Sequence, residues 1–450
     1  MRVEARVLKG FRDYLPEVEG PRQAMLGKVK AVFESFGYGP LMTPALEYSD
    51  ILLGKYGDEG DKLLYRFTDN GERDVALRYD LTVPLARVVA SYGDLVMPWR
   101  RYQVAPVWRA EKPARGRFRE FVQCDVDLVG EPSARADAEI MMVGLSVLEA
   151  LSVPRFVMRV NDRRILDGVL DKVGVAVEQR IAVLRIVDKL PKVGRAEVDK
   201  EIASTVGLAQ DKIDALFALL VPGAEVPARK HLEHLQAELA DSAVGQAGLA
   251  GLTVLLETLA NAGFAEKVDI DLTIARGLDY YTSTIYETFL VGHEGFGSVM
   301  SGGRYDTLLD MFTSRSIPAV GISLGVDRLL AALLELGLIE ANKAPADAFF
   351  CLFSEADYAH NAALATALRK VGVKVELSLS AGKLGKQFQL ATKKGHRFAL
   401  LQGEGERAAQ QVVLKNLGTG EQETLPCGDE VALKALATRI ASSGAHDGRP

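Results

Sequence analysis

The chain has 450 residues, 48% hydrophobic and 25% charged, an ordinary composition for a folded protein of two or three domains. A net charge of −6 argues against the whole molecule being drawn to polyanions, and no run approaches the roughly 18 apolar residues of a membrane span. The N-terminus MRVEARVLKGFRDYLP has no apolar signal core, and Cys124, Cys351 and Cys427 are too far apart for CxxC zinc sites or a disulfide scaffold, so a reduced, cytoplasmic setting is expected.

Up to about residue 155, helices mix with alternating strands. PRQAMLGKVKAVFESFGY has the spacing of a helix. In ALRYDLTVPLARVVA, Asp80 directly precedes a helix with Pro84 in its first turn. Asp80 or Thr82 there serves either as an N-terminal cap or, in the case of Asp80, as a partner for a substrate ammonium. WRRYQVAPVWRAE and REFVQCDVDLVG read as strands joined by KPARGR. Val122, Cys124, Val126 and Leu128 alternate with Gln123, Asp125 and Asp127, while Arg109 and Glu111 share one parity. A hairpin therefore aims Arg109, Glu111, Gln123 and Asp127 at one side of a sheet. That side is either a solvated face or a site with the Phe121 ring to stack on. From Arg100 to Arg119 there are six arginines and one lysine against the single acid Glu111, a local cationic site suited to a small phosphate ligand.

Residues 156 to about 265 are mostly helical and poor in aromatics, with VEQRIAVLRIVDKL and LTVLLETLANAGF as amphipathic runs. Strands resume at 268–291 and 317–324, so the middle reads as a helical insertion between two halves of one antiparallel-sheet domain. In VDIDLT, Ile270, Leu272 and Ile274 share a face, and Arg276 continues that apolar parity, which predicts a partly buried guanidinium just ahead of Tyr280 and Tyr281. SGGRYD (301–306) brings a glycine pair that suits either a tight hairpin turn or close backbone approach to a ligand. IPAVGISLGVDRLLAALLELG reads as strand, glycine turn and helix, with Arg328 in the first helical turn. A cation there opposes the helix dipole, a cost that a bound anion reverses and that Asp327 could also offset. Several converging arginines suit a triphosphate. Neither a P-loop nor a dinucleotide fingerprint is present.

LIEANKAPADA (338–348) reads as a linker. Alternating β and α units follow, predicting a small, largely parallel α/β domain. From Pro345 onward, 13 basic and 11 acidic residues give +2 against −8 for the rest. Lys383, Lys386, Lys393, Lys394 and Arg397 lie there without an intervening acid, either as a solvated helix face or as phosphate contacts.

Taken together, FRDYLP, LRYDLTVP, VWRAE…GRFREFVQCDVD, ARGLDYY, SGGRYD and VGISLGVDRL resemble the histidyl-tRNA synthetase family, which belongs to the class II aminoacyl-tRNA synthetases. The similarity runs from about Lys9 to beyond Leu436, and RGLDYY is its most specific piece. The resemblance implies an α+β fold: a class II antiparallel sheet flanked by helices, a helical insertion and a C-terminal α/β anticodon-binding domain. The boundaries it suggests are 1–155 and 266–338 for the two halves of the catalytic core, 156–265 for the insertion and 346–440 for the anticodon-binding domain.

The same resemblance implies an enzyme that activates L-histidine with ATP to histidyl-adenylate and then transfers it to the 3′ end of histidine tRNA. Magnesium would accompany ATP. The enzyme would be a cytoplasmic homodimer, with Pro44 at the subunit interface and neither DNA nor membrane as a partner. Arg109 and Arg276 would be catalytic, facing the α-phosphate from two sides. Asp80, Leu81, Thr82, Arg109, Gln123, Asp127, Arg276, Tyr280 and Tyr281 would bind histidine. Arg109, Glu111, Arg117, Phe121 and Arg328 would bind ATP, with Phe121 and Arg328 sandwiching adenine. The rival implied by the same likeness is a histidine-binding regulatory subunit of ATP phosphoribosyltransferase, which lacks the anticodon-binding domain and departs from RGLDYY.

Overall fold

A computed structural model of the chain describes residues 3–53, 62–113, 118–223, 226–277, 281–312, 315–339, 344 and 346–442. It divides into two units, Met1–Asp13 with Ala24–Leu338, and Tyr14–Gln23 with Ile339–Pro450.

The first unit is built on an eight-stranded sheet in the order β1-β5-β6-β11-β10-β9-β7-β8. These strands are β1 (Gly39–Pro40), β5 (Trp99–Trp108), β6 (Glu120–Val129), β7 (Phe156–Asp162), β8 (Val268–Ile270), β9 (Thr284–Leu290), β10 (Met300–Arg304) and β11 (Ala319–Gly325). The neighbours between β5 and β7 pair antiparallel, and only the outer pairs β1–β5 and β7–β8 are parallel. A separate small sheet joins β2 (Leu46–Tyr48), β4 (Asp74–Leu77) and β3 (Arg66–Thr68) in that order. SGGRYD is therefore not a hairpin turn: Ser301 to Arg304 run through β10, in the interior of the large sheet.

One face of the large sheet is closed by the helix Ala134–Ala150. Gly144 lies so close to the sheet that a Cβ there would stand 2.9 Å from Ile322 Cδ1 and 3.2 Å from Met158 Cε. Cys124 and Val126 of β6, Ile322 of β11 and Tyr286 of β9 are buried on that side. The period-2 pattern of β6 thus turns its apolar residues to the helix and its polar residues to the opposite face.

Helices fill 163–261. The helix Ala243–Asn261 is long and apolar enough to cross a membrane by length and composition alone, a measure that the expectation from the sequence did not anticipate and that a core helix also meets. Its Gly248 faces Ile165 of the helix Arg163–Val173, where a Cβ would stand 2.9 Å from Ile165 Cγ1 and 3.0 Å from its backbone nitrogen. Leu249, Leu252, Leu255 and Leu259 are buried, so the apolar face packs on neighbouring helices of the same unit.

The second unit holds a five-stranded sheet in the order β13-β12-β14-β15-β16. Its strands are β12 (Ala348–Phe350), β13 (Val375–Leu377), β14 (Phe398–Leu401), β15 (Gln411–Asn416) and β16 (Gln422–Pro426). β12 pairs parallel with β13 and β14, while β14–β15 and β15–β16 are antiparallel, so the sheet is mixed rather than largely parallel. Phe350, Leu400 and Leu414 pack with Leu368 and Leu436 on one side; Phe349, Ala399 and Leu401 pack with Ala391 on the other.

Candidate active site

The polar face of the first sheet is organised in transverse rows set by strand register. One row pairs Gln103 with Asp125, Asp125 with Ser323, Ser323 with Ser301 and Ser301 with Glu287, crossing five strands. The next pairs Arg101 with Asp127, Asp127 with Gly321, Gly321 with Gly303 and Gly303 with Ile285. Directly paired residues project to the same side, and Asp125, Ser323 and Ser301 of the first row line a cleft of about 690 Å³.

Of the residues expected from the sequence, Asp80, Thr82, Arg109, Glu111, Phe121, Gln123, Tyr281 and Arg328 line this cleft. Leu81, Asp127 and Arg276 are not among its lining residues. Arg117 and Tyr280 lie outside the described residues.

Asp80 and Thr82 enter the cleft because the chain turns there into the helix Thr82–Ser91. Asp80 Oδ1 accepts the Val83 N–H at 3.1 Å, so the carboxylate caps the helix and faces the cleft at once. Leu81 is fully buried against Ala105 and Val107, with Phe121 packed beside them, and so anchors this loop on the sheet. Arg109 donates from Nε to the Tyr79 carbonyl at 3.2 Å, and its guanidinium lies 4.3 Å from the Tyr79 ring centre and 5.1 Å from that of Phe121. Two aromatic faces thus hold a cation at the cleft wall. Asp327 pairs with Arg12 at 2.9 Å, and Arg328 Nη1 donates to the Ser298 carbonyl.

The two acids of β6 play different parts. Asp127 is 3% exposed and lies 2.7 Å from Arg101 Nη2, an arginine that is itself fully buried; Tyr305 also donates its hydroxyl to Asp127. Asp127 is thus held by Arg101 and Tyr305 beneath the floor. Burial raises its carboxyl above the usual range, and the charge of Arg101 opposes that rise. Asp125, which sequence reasoning passed over, lines the cleft and accepts the Ser323 hydroxyl at 2.5 Å. Burial, reinforced by the nearby charge of Asp127, pushes its carboxyl up to about 7. Gln123 donates to Ser323 at 3.4 Å, while its Oε1 is buried with no hydrogen-bond partner among the described residues. Tyr281 lies over Gly277 and Gly303, where an added Cβ would fall 2.4 and 2.8 Å from its ring carbons. Burial first, then the charges of Asp125, Asp127, Glu287 and Asp80, raise its phenol well above the ordinary value. The floor therefore combines an acidic field with an unpaired acceptor, the environment a cation would satisfy.

Arg276 departs from the period-2 expectation. Its strand ends at Ile270, and the residues after it are not strand, so parity does not carry on to 276. The side chain is 46% exposed and its charge meets Glu287 at 2.9 Å and Asp188 at 3.4 Å. No signal in the local sequence pointed to Arg101, Ser323, Glu287 or Asp188, because each is brought in by long-range pairing.

Comparison with known proteins adds an independent line. Residues 10–329 match the family model of histidyl-tRNA synthetase, and residues 353–435 match an anticodon binding domain. A histidine–tRNA ligase of Rhodopirellula baltica is 41% identical over 430 residues, 95% of this chain and 97% of that one. The crystal structure of histidyl-tRNA synthetase from Nostoc sp. PCC 7120 superposes with a TM-score of 0.88 at 32% identity, covering 98% of this chain and 100% of that one. A structure described as an ATP phosphoribosyltransferase regulatory subunit/histidyl-tRNA synthetase from Bacillus halodurans C reaches a TM-score of 0.73 at 25% identity, covering 87% of this chain and 97% of that one.

Proposed function

The chain belongs to the histidyl-tRNA synthetase family, and we infer from its cleft how the residues divide the work of a histidine–tRNA ligase. The enzyme condenses L-histidine with ATP to histidyl-adenylate and pyrophosphate, then passes histidine to its tRNA. The match to an anticodon-binding domain over 353–435 favours this over a regulatory subunit.

The observation that carries the assignment of residues is the buried, unpaired Oε1 of Gln123, a residue that lines the cleft together with the carboxylates of Asp125 and Asp80. They receive the substrate ammonium, and the Tyr281 hydroxyl, with Tyr280 and Thr82, reads the imidazole. An analogue lacking these groups leaves buried polar atoms unmatched, which is the basis of selectivity. Leu81 and Asp127 shape the pocket from behind. Phe121 and Arg328 flank adenine, while Arg109, Glu111 and Arg117 place the triphosphate.

In the first step a carboxylate oxygen of histidine attacks the α-phosphorus as the bond to pyrophosphate breaks. Negative charge grows on the phosphoryl oxygens, where Arg109 and Arg276 stabilise it with planar, forked donors, and no general base is needed. Among the described residues no cluster of three or more His, Cys, Asp or Glu side chains could hold a metal by itself, so magnesium would be held chiefly by ATP, with the cleft-lining Glu111 as the carboxylate that would meet it. Bound there with ATP, the ion would neutralise phosphate charge.

Residues 1–155 and 266–338 act as the catalytic core, 156–265 as an insertion and 346–440 as the tRNA-reading domain, in a cytoplasmic homodimer. Pro44 lies in a second, largely apolar groove with Leu41, Met42, Leu46, Tyr92 and Trp99, and Met42 is 69% exposed, which supports a subunit interface there. The deciding experiment is histidine-dependent exchange of pyrophosphate into ATP by the purified enzyme. Folded protein that binds ATP but gives no exchange would overturn this assignment.

A further inference from the structure

Glu287 ends the row Asp125–Ser323–Ser301–Glu287, one strand beyond the cleft-lining Ser301. Its side chain is 6% exposed, and Oε1 has no hydrogen bond among the described residues, only the charge of Arg276 Nη1 at 2.9 Å. Burial raises the Glu287 carboxyl and Arg276 pulls it back down. Without that cation a carboxylate so placed would tend to protonate, so Arg276 and Glu287 hold each other firmly.

The second contact of Arg276 is of another kind. Asp188 caps the C-terminal end of the helix Val177–Val187, within the helical run that interrupts the sheet. It meets Arg276 Nε at 3.4 Å, with a quarter of its side chain exposed and nearly half of the arginine in solvent. An ion pair this long and this wet is weak and readily exchanged. A triphosphate offers more charge and a bidentate partner. Glu287 pairs with the cleft-lining Ser301 on the neighbouring strand, about 4.8 Å away, and Gly277, the residue after Arg276, also lines the cleft, so the guanidinium anchored on Glu287 belongs to a segment at the cleft's edge.

We propose that Asp188 is a positioning residue for Arg276: it draws the guanidinium aside from the reacting phosphate, while Glu287 is the pivot about which Arg276 turns inward when Asp188 releases it. The placement of the helical insertion then sets how much of the enzyme has its second arginine engaged. This rests on the reading of Arg276 as a catalytic residue, and the test separates the two.

Asp188→Asn removes the charge at constant size on a partly exposed helix end. Its kcat for pyrophosphate exchange should rise roughly two- to fivefold, the scale of one exposed ion pair, with the histidine KM and thermal midpoint unchanged. Arg276→Ala should lose about 10²-fold or more, and adding Asp188→Asn to it should change nothing further. Glu287→Gln, which loosens the pivot, should lower kcat; if that variant does not fold, Asp188→Asn decides alone. A kcat for Asp188→Asn that is unaltered or lowered, with Arg276→Ala inactive, overturns the proposal. Near-normal exchange by Arg276→Ala at wild-type thermal stability overturns the catalytic reading beneath it instead.

Discussion

Asp125 and Asp127 stand two positions apart on one strand and face the same side, yet substitution should separate them. Asp125 has a native pKa of about 7, well above the roughly 3.9 of an unfolded aspartate. The native state therefore keeps a proton that the unfolded chain has released, and Asp125 costs stability as pH rises from about 4 through 7. Burial sets this first, with the charges of Asp127 and Asp80 adding to the rise while Arg101 and the Ser323 hydrogen bond oppose it. Asp125→Asn should melt higher than wild type at pH 8, with the difference shrinking toward pH 4. Its histidine KM should nonetheless rise roughly 10- to 100-fold, the scale of a hydrogen bond to a charged group, while the ATP KM changes little. Asp127→Asn removes one partner of a fully buried pair and leaves Arg101 uncompensated, which costs about 3–5 kcal/mol. A melting-point loss for Asp127→Asn, and a gain for Asp125→Asn at pH 8, would together check the assignment; the reverse order would refute it. Strand parity made the polar face of β6 legible from sequence. It could not say which acid lines the cleft and which is neutralised, because the neutralising arginine sits across the register on β5.

At the scale of elements, the site depends on strands that approach without side chains between them. A Cβ at Gly321 would fall 2.0 Å from Asp127 Oδ1 and 3.0 Å from the Val126 carbonyl. Gly321→Ala must therefore displace the buried carboxylate and its arginine, an overpacking cost of about 1–3 kcal/mol. Calorimetry should register that loss, and exchange kinetics should show the histidine KM rising more than the ATP KM, because the floor moves and the Phe121 and Arg328 side does not. An unchanged melting point would mean that β6 and β11 have room the register does not suggest. The same strands mark the limits of pattern reading. Alternation marks β6 and parity marks the end of β5, whereas the paired glycines of β10 suit a turn as readily as a strand, since two residues without side chains carry no parity. VDIDLT ended as a strand after Ile270, so the apolar parity that seemed to bury Arg276 had no strand beneath it. In the second unit, the polar, half-exposed β16 gave no alternation strong enough to read, and the antiparallel half of that sheet went unforeseen.

For the whole molecule, the division of the chain predicts a division of the two chemical steps. All described residues of the candidate site, from Asp80 to Arg328, belong to the first unit. The second unit has cores on both faces of its own sheet, as an independently folding body should. It also carries the run from Lys383 to Arg397, whose helix Leu384–Lys394 leaves most of its polar residues exposed. A chain ending near Asn342 should therefore keep histidine-dependent pyrophosphate exchange. It should be less stable, because Tyr14–Gln23 remains in the shortened chain while the rest of the unit it groups with is gone. Charging of tRNA should fall far more than exchange, since contacts made by the second unit no longer deliver the acceptor end. In the intact enzyme the tRNA KM should rise with salt, as displaced counterions at phosphate contacts require, while the histidine KM should respond much less. Measuring exchange and charging side by side on the truncated and full chains separates the outcomes. Equal charging by both would mean that tRNA is read from the first unit alone, and loss of exchange from a folded truncated chain would mean that the cleft needs the second unit to work.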